Sequence, residues 1–164
     1  MRSIPDPGFA GDDGAVAAEV AQALAAYDVD PDARHADTLA VLQHARVLVP
    51  VVAVLGEVEV DDAGLAHDKT SDMATVLMTG RDGRSALLAF TCSEAMARWD
   101  PAARPVPVVL PDAAKAAVHD GADALLLDVA GPVMLVVEGD DLRALADGFV
   151  LADVAGKHAW VKPT

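Results

Sequence analysis

The sequence predicts an α+β fold in a single domain: a mixed β-sheet with two antiparallel hairpins, one parallel crossover and packed helices, two of them N-terminal. Three observations predict it. Apolar residues recur at helical spacing near the start of the chain, as Val16, Val20, Leu24 and Tyr27. A β-branched run, Val47 to Leu55, follows. Gly-containing turns then punctuate short apolar segments, alternating with helix-length stretches. The length of 164 residues suits one domain, and 53% apolar residues supply a core. A folded chain of this size hides roughly 70% of the surface its unfolded form exposes.

Residues 1–12 read as an irregular arm, because Pro5, Pro7, Gly8 and Gly11 oppose a regular helix. Phe9 gives that arm an apolar group with which to dock. The main domain spans residues 13–148. Its first helix is expected from Asp13 to Tyr27, with Asp12 or Asp13 as the cap. A second runs from Pro31 to Ala45, capped by Asp30, with Pro31 where a missing N–H costs nothing and Leu39 and Leu42 on the apolar face. Val47 to Leu55 is a buried strand, and Pro50 within it predicts an edge position or a bulge. Residues 57–72 form a polar connection. Met73–Thr79 and Ser85–Thr91 make a hairpin through Gly80-Arg81-Asp82-Gly83-Arg84. Thr91 and Glu94 stand in a capping-box relation and open a short helix to Trp99. A strand at 106–110, a helix from Asp112 to Asp120 closed by Gly121, and a strand at 124–130 have the length of a parallel crossover. Gly131-Pro132 turns the chain into Val133–Glu138, and Asp140 caps a last helix stopped by Gly148. Residues 149–164 read as a tail or an extra strand.

Composition narrows the function. The chain carries 34 Ala and 23 Val against six aromatics, and 21 Asp against five Glu, a pattern of GC-rich coding. A net charge of −14 with scattered Lys and Arg disfavours nucleic acid and anionic membrane surfaces. The longest apolar run has nine residues, whereas a membrane helix needs ~20. Cys92 is the only cysteine, so no internal disulfide forms, and the start of the chain does not read as a signal peptide. A cytoplasmic protein is expected.

No motif assembles a reaction or a cofactor cradle. The five histidines lack zinc spacing, and neither nucleotide-binding glycine motif occurs. Asp12-Asp13, Asp61-Asp62 and Asp140-Asp141 are better explained by caps and solvation than by a cation. No cofactor and no metal are expected. Cys92, between a strand and a helix, and Ser71 are the remaining nucleophiles, and neither has an activating neighbour in sequence. Two features stand out. Asp128 interrupts the apolar Leu125-Leu126-Leu127 and Val129, where a buried carboxylate is costly unless paired; an exposed strand position is expected, with a place near the strand's C-terminal end, where ligands often bind, as the alternative. Lys69-Thr70-Ser71-Asp72 is the densest polar cluster, suited to a side-chain-held turn or to a ligand.

The arm Ile4-Pro5-Asp6-Pro7-Gly8-Phe9, the stretch Lys69 to Met73, and the passage Leu87-Leu88-Ala89-Phe90-Thr91 into Ser93–Trp99 resemble the SseB family, specifically its N-terminal-type domain in the actinobacterial branch. The similarity covers roughly residues 4 to 147. The resemblance implies an α+β domain with no established catalytic centre. The family's name comes from enhanced serine sensitivity, a phenotype, and some members are linked to type III secretion. The second, C-terminal domain of some members is not expected in a chain of this length.

Two expectations follow. The first is a non-enzymatic cytoplasmic protein-interaction module that presents Phe90, Thr91, Glu94 and Trp99 to an unknown protein partner, with a homo-oligomer also compatible. The second is a domain that senses or binds a small ligand, such as an amino acid, through Lys69, Ser71 and Asp72, with Asp128 as an amine partner. A hydrolase or thiol enzyme using Ser71 or Cys92 ranks behind both.

Overall fold

A computed structural model describes residues 9–54, 58–60, 66–68 and 72–164. The chain runs α1 (Ala18–Val29), α2 (Pro31–Leu42), β1 (Arg46–Val54), β2 (Val58–Val60), β3 (Ala66–Asp68), β4 (Asp72–Thr75), β5 (Leu77–Thr79), β6 (Ser85–Ala89), α3 (Ser93–Trp99), β7 (Arg104–Val109), α4 (Leu110–His119), β8 (Ala124–Leu127), β9 (Leu135–Glu138), α5 (Gly139–Ala146), β10 (Val150–Val154) and β11 (Lys157–Val161). The α+β class holds, with parallel and antiparallel pairs and two N-terminal helices. No helix among the described residues is long and apolar enough to cross a membrane.

Strands β5-β6-β8-β9 form one sheet and β4-β1-β7 another. They join where Leu48 and Phe90 exchange main-chain hydrogen bonds of 2.7 and 2.8 Å. Period-2 alternation then sorts the side chains to two faces. Val47, Val49, Leu87, Ala89, Leu125, Leu127, Leu135 and Val137 point into the main core, beneath α1, α2, α4 and α5. Leu48, Leu88 and Phe90 point the other way, against Ala95 and Met96 of α3.

Several expected elements shift, each for a physical reason. The parallel pair is β6 with β8, not the strand at 106–110 with that at 124–130. Strand β7 instead pairs antiparallel with β1. With Pro105 and Pro107 two apart, β7 lacks donors along one side, and the register turns that side outward as an edge. Strand β1 is central rather than at an edge. Leu48 bonds to Phe90, so alternation points the Pro50 nitrogen the same way, into the gap before the first β4 pair, Val51 with Thr75. No donor is required there.

The expected strand Met73–Thr79 divides between the sheets, β4 pairing with β1 and β5 with β6, and the hairpin turn stands with Gly83 at φ 81°. The polar connection contains the short pair β2 and β3. Helix α1 starts at Ala18, because Asp12 accepts from the Gly14 N–H and Asp13 from the Ala15 N–H instead of capping the helix. Asp30 does cap α2, accepting from the Ala33 N–H at 3.2 Å. Helix α2 ends at Leu42 and α4 starts at Leu110, two residues before Asp112. Asp140 lies within the first turn of α5 and pairs with Arg143 at 2.9 Å rather than capping it.

The last segment is a hairpin, β10 with β11, and Leu151 enters the main core. Its anchor is Gln43, which donates to the Leu151 carbonyl and accepts from the Leu151 N–H, both at 2.8 Å.

Candidate functional site

Strands β6 and β8 run parallel, and their C-terminal ends carry the site. The Asp128 N–H continues the ladder by donating to the Ala89 carbonyl at 3.0 Å. A regular ladder would next have the Thr91 N–H donate to the Asp128 carbonyl. Asp128 instead adopts φ 54°, left-handed backbone that Asp tolerates better than most residues, and its carbonyl turns away to accept from the Gly131 N–H at 2.9 Å. The side chain takes over the ladder's role. Oδ1 accepts from the Thr91 N–H at 2.8 Å and Oδ2 from the Thr91 hydroxyl at 2.7 Å.

Asp128 is 2% exposed. Burial pushes its carboxyl above the ordinary aspartate range, and the two bonds from Thr91 pull it part of the way back. The sequence marked a buried carboxylate here as costly unless paired. The expected exposed position is overturned: the carboxylate is buried, paired with Thr91 and just past the end of β8.

A cleft of about 280 Å³ opens beside this pair. Ala21, Leu24 and Ala25 of α1 form one wall, Glu94, Ala95 and Arg98 of α3 another, and Pro132 and Val133 a third. Val16 closes one side, and Thr91, Cys92 and Asp128 complete the lining. The walls are mainly apolar. Arg98 is held by Glu94 across one helical turn at 2.8 Å.

The residue that ties this region to the segment before α1 is Arg46. Its guanidinium grips Asp12, with Nε to Oδ2 at 2.7 Å and Nη2 to Oδ1 at 3.1 Å. It also donates to the Ala15 carbonyl at 2.7 Å and the Thr91 carbonyl at 2.9 Å. The Ser93 N–H donates to the Gly14 carbonyl at 2.8 Å. Gly14 has φ 79°, and a Cβ there would run into the Ser93 side chain. Residues 12–15, which lead into α1, thus dock through Asp12, Gly14 and Ala15.

The expected site residues part company. Phe90 is fully buried, its ring centroid 5.7 Å from that of Trp99, so it offers no surface to a partner. Thr91 is buried on Asp128. Glu94 is exposed and Trp99 half-buried. Thr91 and Glu94 form no capping box. The Thr91 hydroxyl is committed to a carboxylate, and Cys92 caps α3 through a 3.4 Å contact from the Ala95 N–H to Sγ. Lys69 and Ser71 lie outside the described residues, and of Asp72 only the backbone, at the start of β4, is described. The structure therefore brings together Thr91, Glu94 and Asp128 of the expected residues. Sequence reasoning missed Arg46, Arg98 and the α1 wall. A lone arginine opening an apolar strand was the one local signal for Arg46.

Residues 20–144 match the family described as SseB protein N-terminal domain. No curated protein and no solved structure matches the chain.

Proposed function

The chain belongs to the SseB family, and we propose that it is a non-catalytic binding protein whose small ligand enters the cleft between α1, α3 and the turn after β8. One observation carries this reading: an apolar-walled cleft reaches a buried carboxylate at the C-terminal ends of parallel strands, where α/β sheets commonly place ligands. Binding rather than catalysis is favoured because the hydroxyl and thiol that line the cleft hold structure. The Thr91 hydroxyl is donated to Asp128, and Cys92 Sγ caps α3.

A neutral four-carbon probe tests the cleft. Titration with n-butanol should give saturable amide shifts at Ala25, Ala95 and Val133. Shifts that stay linear and scatter over the surface contradict the reading.

A protein-interaction module is the second reading. It is favoured by the edge strand β5, where Leu77 and Met78 are both exposed and could receive a partner's strand. Sedimentation tests β5 as a contact between copies: a parent chain that self-associates and a Leu77→Lys variant that does not support it, whereas a monomeric parent or an unchanged variant removes it. In either reading we place the protein in the cytoplasm, on its single cysteine, and in the actinobacterial branch, on its composition. Its charge of −14 supports partners other than nucleic acid or anionic membranes.

A further inference from the structure

The cleft's charge pattern specifies a ligand class. Among the described residues, Asp128 accepts one hydrogen bond on each oxygen, both from Thr91. An ionised carboxylate offers about four acceptor sites, so the described residues use roughly half of its capacity. Much of the lining, Leu24, Ala25 and Val133 included, is apolar and carries no side-chain donor. The wall's arginine, Arg98, is engaged by Glu94. The lining therefore carries two carboxylates against one guanidinium, over apolar surface.

Resting on the reading of the cleft as a binding site, we infer that its ligand is a small organic cation: a primary ammonium on a short apolar chain. Its N–H groups donate to Asp128, and its chain lies against Leu24, Ala25 and Val133. Such a ligand returns to the carboxylate the positive partner that burial has denied it. The Glu94–Arg98 pair carries no net charge, so an anion of the same size meets the unbalanced carboxylate of Asp128 and is repelled.

Three probes of one size separate the possibilities. n-Butylammonium, n-butanol and butyrate are titrated into the full chain at neutral pH and 0.5 M NaCl, and read by the amide shifts of Ala25, Thr91, Ala95 and Val133. The high salt suppresses general attraction of cations to an acidic protein. Butylammonium should bind about tenfold more tightly than butanol, the scale of one charge-assisted hydrogen bond. Butyrate should give no saturable shift. Asp128→Asn should bring butylammonium down to the affinity of butanol. The comparison within the wild-type chain decides the matter even if that variant does not fold. Equal affinities for butylammonium and butanol overturn the cation inference and leave the cleft reading standing. Absence of saturable shifts with all three overturns both.

Discussion

Thr91 gives both of its donors to Asp128, the main-chain N–H to Oδ1 at 2.8 Å and the hydroxyl to Oδ2 at 2.7 Å. This pair closes the parallel ladder and sets the polar end of the cleft. Thr91→Val keeps the shape of the side chain and removes one donor, leaving a buried carboxylate oxygen unpaired. It should cost about 1.5–3 kcal/mol, whereas Thr91→Ser should cost far less. Urea denaturation of the three chains measures the difference.

Asp128 also fixes a pH dependence. Its carboxyl is raised in the folded chain, chiefly by burial, above the unfolded value of about 3.9. Between those two values the folded chain holds a proton that the unfolded chain has released. Stability from this group is therefore full below the unfolded value, falls as pH rises through the window, and is level above the raised value. Asp128→Asn lacks the term, while the other carboxylates are common to both chains. The stability of the variant minus that of the parent should rise with pH across the window and then flatten. A difference independent of pH contradicts the account.

Arg46 holds residues 12–15 to the strand end through Asp12, Ala15 and Thr91. Its side chain is 13% exposed, so solvent screening weakens the pair only partly. Arg46→Ala should destabilise the chain by about 1.5–3 kcal/mol, and Arg46→Lys should recover little, because an ammonium cannot fork across both Asp12 oxygens. The local readout is hydrogen exchange at the Ser93 amide, which is bonded to the Gly14 carbonyl and should exchange faster in both variants.

Gln43 acts as a strand partner for Leu151, one donor and one acceptor both at 2.8 Å and buried. Gln43→Leu strands two main-chain groups, at about 1–3 kcal/mol each. Thermal unfolding should show a lower midpoint, and the amides of β10 and β11 should lose protection first.

The elements legible in the sequence were those set by local chemistry. Asp30 and Pro31 announced α2, Gly121 closed α4 and Gly83 turned the β5–β6 hairpin. What stayed illegible depends on partners distant in the chain. Thr91 looked like a helix cap because its competing acceptor, Asp128, lies 37 residues away. Pro50 looked like an edge marker because nothing local reveals that its strand changes partners at that residue. For the site, an isolated Asp in an apolar run was the usable signal. The walls that make it a cleft come from α1 and α3, and their apolar residues read only as core.

The most direct test of the central claim is a crystal structure of the chain soaked in n-butylammonium. The account predicts the ammonium nitrogen within hydrogen-bonding distance of Asp128, with its carbon chain against Leu24 and Val133. A saturating soak that leaves the cleft empty, or that places the ammonium only on surface carboxylates, contradicts it.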